Sequence, residues 1–191
     1  MPIETTLTLY TYEELSESAK ETAREWWRAA MDESDYQNTI DDIATVLEMN
    51  GIDLATHTVQ LMGGGSRSDP NIWYSLSYCQ GDGASFEGDY SYKAGAAKAI
   101  RAYAPQDSTL HGLADALQAV QKRYGYQLIA KVEQGRYGGS YSHSGTMFAE
   151  VEATKRNGDE REVPAADADE VQSILRRFLQ SAIEARDDGA T

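Results

Sequence analysis

Apolar and polar positions along the chain follow two different periods, and the places where one gives way to the other mark its elements. Ile3 to Tyr10 alternates threonine with leucine and tyrosine, which predicts a short strand. Leu15, Ala19, Ala23, Trp26, Trp27 and Ala30 then recur at three- and four-residue steps, predicting a helix to about residue 30 with one face buried. Thr11 followed by Glu14 fits a capping box, and Ser16 offers a second N-cap one turn later. An acidic link, Asp32 to Asp35, leads to a second helix whose face is Tyr36, Ile40, Ile43, Ala44 and Leu47. Asn50-Gly51 reads as its C-terminal stop.

Beyond residue 55 the period falls to two. Thr56 to Met62 reads as a strand, and residues 63–70, opening with three glycines, read as a flexible connection and the best candidate linker. Ile72, Tyr74, Leu76 and Tyr78 alternate with polar neighbours, as do Phe86, Gly88, Tyr90 and Tyr92. With the Gln80–Ala84 turn between them they predict a hairpin with one apolar and one polar face. Ala94 to Ala104 is a short helix stopped by Pro105. Ser108 caps a helix with Leu113, Leu117 and Val120 on its stripe, ended by Gly125. Tyr126 to Glu133 and Thr146 to Thr154 read as strands flanking a glycine-, serine- and tyrosine-rich loop over 135–145. A last helix starts within Asp167 to Glu170 and runs to about Ala185, leaving Asp187 to Thr191 to fray. The order β-α-α-β-β-β-α-α-β-β-α predicts an α+β fold, a mostly antiparallel sheet with helices packed on one face. We expect one domain over 1–191: an acidic helical pair over about 11–50, then sheet and helices over about 53–187.

Composition narrows the function. With 191 residues the chain can bury a full core without a staple, and its single cysteine, Cys79, excludes an internal disulfide framework or a multi-cysteine zinc site. No apolar run approaches a membrane span and the N-terminus lacks the features of a signal peptide, so a cytoplasmic protein is expected. Acids outnumber bases 31 to 17, for a net charge of −14. That disfavours direct binding to nucleic acid or to an anionic membrane and favours a basic partner, although solubility alone can also account for it. The first fifty residues hold twelve acids and three bases. Glu13, Glu14, Glu17, Glu21, Glu25, Asp32, Glu33 and Asp35 are therefore the candidate partner-binding residues.

A rival site is the Gln80–Ala84 turn together with the 136–145 loop: Gln80, Asp82, Glu87, Asp89, Tyr141 and His143. Carboxylates on a hairpin suit a hard cation, and a histidine in a glycine-rich loop suits proton transfer. Each has a plainer reading, a solvated strand face and a turn-forming aspartate. No nucleophile elbow, phosphate-binding loop or histidine pair at metal-binding spacing is present, so no catalytic residue, metal ligand or cofactor is assigned. His57 and His111 read as a strand-surface and a first-turn helix residue, and Cys79 as a small buried hydrophobe.

Two segments resemble a known family. Leu9 to Trp26, with Tyr10, Tyr12, Glu14, Leu15, Ser16, Ala19, Lys20 and Ala23, is followed by Tyr78 to Gly88, which contains Gln80-Gly81-Asp82-Gly83-Ala84. Both are similar to small phage and prophage proteins labelled antitoxin-like, from toxin–antitoxin stability systems, with a Y-x-F-x-E-L-S-x-x-A-K-x-x-A run and a central S-Q-G-D-G-A turn. Tyr12 stands where that family usually has phenylalanine, and Cys79 where it has serine. The resemblance covers about thirty residues and carries over no catalytic residue. It implies a mobile-element setting in the cytoplasm of a bacterial host. There an acidic protein would neutralise a basic host or toxin protein, such as a nuclease or an antiviral complex, as an antitoxin, a counter-defence inhibitor or a DNA mimic. The rival expectation is an enzyme or binding domain for a metal or small ligand.

Overall fold

The computed structural model describes the backbone over residues 10–30, 33–75, 83–135 and 143–189, and side chains over 10–26, 38–74, 83–135 and 143–181. All of the predicted strand at 3–10 except Tyr10, most of the Gln80–Ala84 turn, Cys79 and most of the 135–145 loop lie outside the described residues.

The Thr11–Glu14 motif forms, with the Glu14 carboxylate accepting from both the N–H and the hydroxyl of Thr11. It closes only a single 3-10 turn, Tyr12–Glu14. Helix α1, Glu17–Ala30, starts one turn later, where the Ser16 hydroxyl accepts from the Ala19 N–H at 3.3 Å. Among the described residues the expected burial of its apolar stripe is incomplete: Leu15, Ala19 and Ala23 are half-buried, Trp26 is 69% exposed, and the side chains of Trp27 and Ala30 lie outside the described residues. Its period is that of a buried face, but periodicity shows only that a helix has two faces. Helix α2, Glu33–Met49, takes in most of the segment read as a link and buries Ile43, Val46 and Leu47. Gly51 follows at φ +88°, and a Cβ there would lie 2.2 Å from the Ser91 carbonyl oxygen, so the stop admits only glycine.

The next forty residues differ most from expectation. Three extended segments each break at one residue into two short strands: β1 (Ile52–Leu54) and β2 (Thr56–Gln60), β3 (Ser66–Pro70) and β4 (Ile72–Ser75), β5 (Gly83–Phe86) and β6 (Gly88–Ser91). All three pairings, β1 with β6, β2 with β3 and β4 with β5, are antiparallel. The three break residues bond in a closed ring. The Ala55 N–H donates to the Glu87 carbonyl, the Glu87 N–H to the Asn71 carbonyl, and the Asn71 N–H to the Ala55 carbonyl, at 2.7–3.0 Å. This three-way strand junction leaves none of the three backbone donors unpaired. Part of the supposed linker at 63–70 is thus strand β3, which with β2 forms an exposed two-stranded arm. The predicted hairpin exists as β4–β5, but β5 stops at the break at Glu87, and Ala84, Ser85 and Phe86 are all buried, so the alternation holds only from Phe86 onward.

Helix α3, Ala96–Tyr103, and helix α4, Ser108–Arg123, follow. Asp107 rather than Ser108 caps α4, its carboxylate accepting from the Leu110 N–H at 2.8 Å. Strand β7 (Leu128–Gln134) pairs with β6 and with β8 (Met147–Thr154), and β9 (Glu160–Arg161) closes the edge of an antiparallel sheet ordered β1-β6-β7-β8-β9. Helix α5, Ala165–Gly189, begins earlier than expected, where the Pro164 carbonyl accepts from the N–H groups of Asp167 and Ala168, and it continues into the tail expected to fray. Helices α2, α4 and α5 contribute Leu47, Leu117, Val120, Leu175, Phe178 and Leu179 to the core. The sheet adds Ile52, Phe86, Leu128, Val132 and Met147. Buried Gln121 of α4 donates to Tyr90 Oη and to the Leu128 carbonyl, which fixes that helix to the sheet. The fold is α+β, as the element order predicts.

Candidate functional site

The candidate residues fall in three places. The first is α1 and the turn before it. Glu13, Glu17, Glu21 and Glu25 are exposed there, while Glu14 is committed to Thr11. Lys20 bonds Glu17 at 3.1 Å and Arg24 bonds Glu21 at 2.9 Å, and both cations lie 5.9 Å from the centroid of the Tyr12 ring. Exposed pairs of this kind contribute little to stability. Tyr10 (66% exposed) and Trp26 leave aromatic surface among these charges. Glu33 and Asp35 belong to the first turn of α2, whose side chains there lie outside the described residues, as does Asp32 altogether.

The second place is the strand junction. The half-buried Glu87 carboxylate accepts from Asn71 Nδ2 at 2.9 Å, and Asn71 Oδ1 faces His57 Nδ1 at 2.9 Å. A carboxylate only accepts, so the Asn71 amide must turn its NH₂ to Glu87 and its oxygen to His57. His57 Nδ1 therefore carries the proton. The His57 ring stacks near Trp73, with centroids 6.3 Å apart. On the other side of the carboxylate, the Ser85 hydroxyl donates to Gln134 Oε1 at 2.8 Å, and the Gln134 N–H approaches Glu87 at 3.4 Å. The sequence identified Glu87, but His57 and Asn71 are fourteen residues apart and only the junction joins them. An open cleft of about 360 Å³ adjoins it, lined by Glu87, Asp89, Lys131, Glu133 and Gln134.

Gln80, Asp82 and Tyr141 of the rival site lie outside the described residues. Its two segments do meet, since a Cβ on Gly83 would sit 2.6 Å from His143 Cβ. His143 Nδ1 accepts from the Gly145 N–H at 2.9 Å, so the ring caps the short 144–146 turn and, when neutral, carries its proton on Nε2. His111 is half-buried and bonded through Nε2 to the Ala104 carbonyl. Among the described residues, no three of histidine, cysteine, aspartate and glutamate converge to hold a metal ion, and no helix is long and apolar enough to cross a membrane.

The third place was anticipated only through Asp89. The helices cover one face of the five-stranded sheet, and the other face is open. Register aligns Asp53, Asp89, Lys131 and Glu150 in one row across four strands, all exposed. Glu133 opposite Phe148, Ile129 opposite Glu152, and Thr154 opposite Glu160 occupy the neighbouring rows. The Lys131 ammonium bonds Glu133 at 2.6 Å, and its pKa is raised, first by that hydrogen bond and the Glu133 charge, then by Asp89 and Glu150. The signal was present in the sequence as charges at every second position of two predicted strands, Lys131 with Glu133 and Glu150 with Glu152.

The match that places this chain among known proteins covers this sheet. A family described as a domain of unknown function, DUF8835, matches residues 35–183. The chain belongs to that family. The DUF8835 segment includes the whole sheet, the junction and α3 and α4, while α1 precedes it. No curated protein and no solved structure matches the chain.

Proposed function

We propose that this chain is a non-enzymatic binding protein that neutralises a basic protein through its acidic surface, as an antitoxin or counter-defence inhibitor would. The observation that carries the reading is α1. An amphipathic helix with exposed Glu17, Glu21 and Glu25 leaves Trp26 69% exposed, the combination of steering charge and aromatic anchor that interfaces use. The resemblance of residues 9–26 and 78–88 to antitoxin-like phage proteins supports it, as does the net charge of −14. The partner is a lysine- and arginine-rich protein of the bacterial cytoplasm, a nuclease or an antiviral complex by the same logic, and neither nucleic acid nor membrane.

The test is capture from a bacterial lysate on the immobilised chain, with stepwise salt elution and mass spectrometry. A basic protein released as salt rises is expected. Reversing Glu13, Glu17, Glu21 and Glu25 to lysine should weaken its capture at low salt, and unchanged capture would remove α1 from the contact. A second reading, a small-ligand site, is favoured by the packing of Gly83 on His143 and by the open cleft at Glu87. A thermal-shift titration with Mg²⁺ and Ca²⁺ that moves nothing would eliminate its metal form.

A further inference from the structure

The open face of the sheet shows a charge pattern that folding alone does not favour. Six carboxylates, Asp53, Asp89, Glu133, Glu150, Glu152 and Glu160, project from five strands, with Lys131 the one cation among the strand positions described on that face. Asp53 lies directly opposite Asp89, and like charges in that relation destabilise a sheet. A surface that is acidic only for solubility mixes both signs and spreads them, whereas here one sign is pooled. Lys131 is already engaged by Glu133, and its elevated pKa reflects the acids around it.

Two large apolar side chains stand among these charges, Ile129 at 47% and Phe148 at 49% exposure. Register puts the charged Lys131–Glu150 row between them, so they are two separate apolar points that flank a charged centre. Five strands about 4.8 Å apart make a face roughly 20 Å across, which matches the footprint of a modest interface rather than of a small ligand.

We propose that this sheet face is the principal docking surface for a basic protein, one that sets lysines and arginines over the central row of acids and apolar side chains over Ile129 and Phe148 on either side of it. This rests on the reading that the partner is basic, and it moves the main contact from α1 to a surface lying within the family's matched residues. Charge complementarity selects the occupant. Phosphate-bearing partners are repelled by six carboxylates, and so is a second copy of the same face.

The test uses the full chain and a fluorescent oligo-lysine peptide at low salt. One variant carries Asp89→Asn, Glu150→Gln and Glu152→Gln. The other carries Glu17→Gln, Glu21→Gln and Glu25→Gln and loses the same charge. The sheet variant should bind about tenfold more weakly, as three lost exposed pairs predict, while the α1 variant changes less than about threefold. Carbodiimide cross-links to the peptide should fall on Asp89, Glu150 or Glu152. Equal losses in the two variants, or a loss confined to the α1 variant, would overturn the sheet assignment and leave the basic-partner reading in place. A wild-type chain that does not bind the peptide would overturn both. None of the three sheet carboxylates is buried, so the variants should fold, and unchanged circular dichroism checks that they do.

Discussion

Tyr90 carries the clearest pH signature of any residue. Burial pushes its phenol up to about 12, against a smaller lowering by the hydrogen bond from Gln121. The folded chain therefore favours the neutral phenol. That contribution is complete below the ordinary tyrosine value of 10 and is lost as pH rises from 10 towards 12, at a cost on the order of 1–3 kcal/mol. Tyr90→Phe should lower stability at pH 8 by about 0.5–1.5 kcal/mol through the lost hydrogen bond. Between pH 10 and 12 the variant should then lose less stability than the wild type. Urea unfolding at both ends of that window checks this, and parallel losses would show that Tyr90 is not the group responsible. The burial of Tyr90 follows from the alternation of 86, 88, 90 and 92. Its partner Gln121 lies four residues after Leu117, so the helical period places it on the buried face, but a polar side chain there does not show which strand groups it will bond.

Among the elements, the strand junction is where local pattern and fold part company. The sequence pattern begins a strand at Thr56, makes 63–70 a connection and sets a turn at Gln80–Ala84, so it misses strands β1 and β3 and the start of β5 on the far side of the breaks at Ala55, Asn71 and Glu87. Which half pairs with which neighbour is decided by the ring of three backbone bonds, between residues sixteen to thirty-two apart. Asn71 contributes twice, through its backbone and through a side chain that joins His57 to Glu87. Asn71→Ala should cost about 1–3 kcal/mol by leaving Glu87 short of a donor. Asn71→Asp should cost more near pH 7, since it sets one carboxylate against another, and the gap should narrow on acidification as the pair takes up a proton. Thermal unfolding of the two variants at pH 7 and pH 4 measures both effects, and equal destabilisation at the two pH values would show that the side-chain bridge is not charged as described. Helix α1 is the opposite case, where the period was read correctly but the burial was not. A stripe of Leu15, Ala19, Ala23 and Trp26 specifies a helix with an apolar face and says nothing of what covers it.

For the whole molecule, a net charge of −14 acts against compaction. Added salt should therefore raise the midpoint of thermal unfolding, by screening repulsion within a Debye length of about 8–10 Å. Asp53→Asn should raise stability by a few tenths of a kcal/mol and weaken that salt dependence, because it removes a direct cross-strand repulsion with Asp89. Chemical denaturation at two salt concentrations reads both effects. A variant less stable than the wild type at low salt would show that Asp53 is compensated by a favourable interaction.

The sequence alone determined that helices lie near 96–103 and 108–123 and that one covers 170–185, that strands lie near 128–134 and 147–154, the α+β class, and the net acidity. These are local or additive properties: a helix or strand shows its period within a few turns, and charge is a sum. Only the tertiary structure decided that the acids of five strands share one open face, that three extended segments break and join at one junction, and that α1 leaves Trp26 in solvent. Those features depend on strand register and on which faces meet, relations between residues far apart in the chain that neither period nor composition encodes.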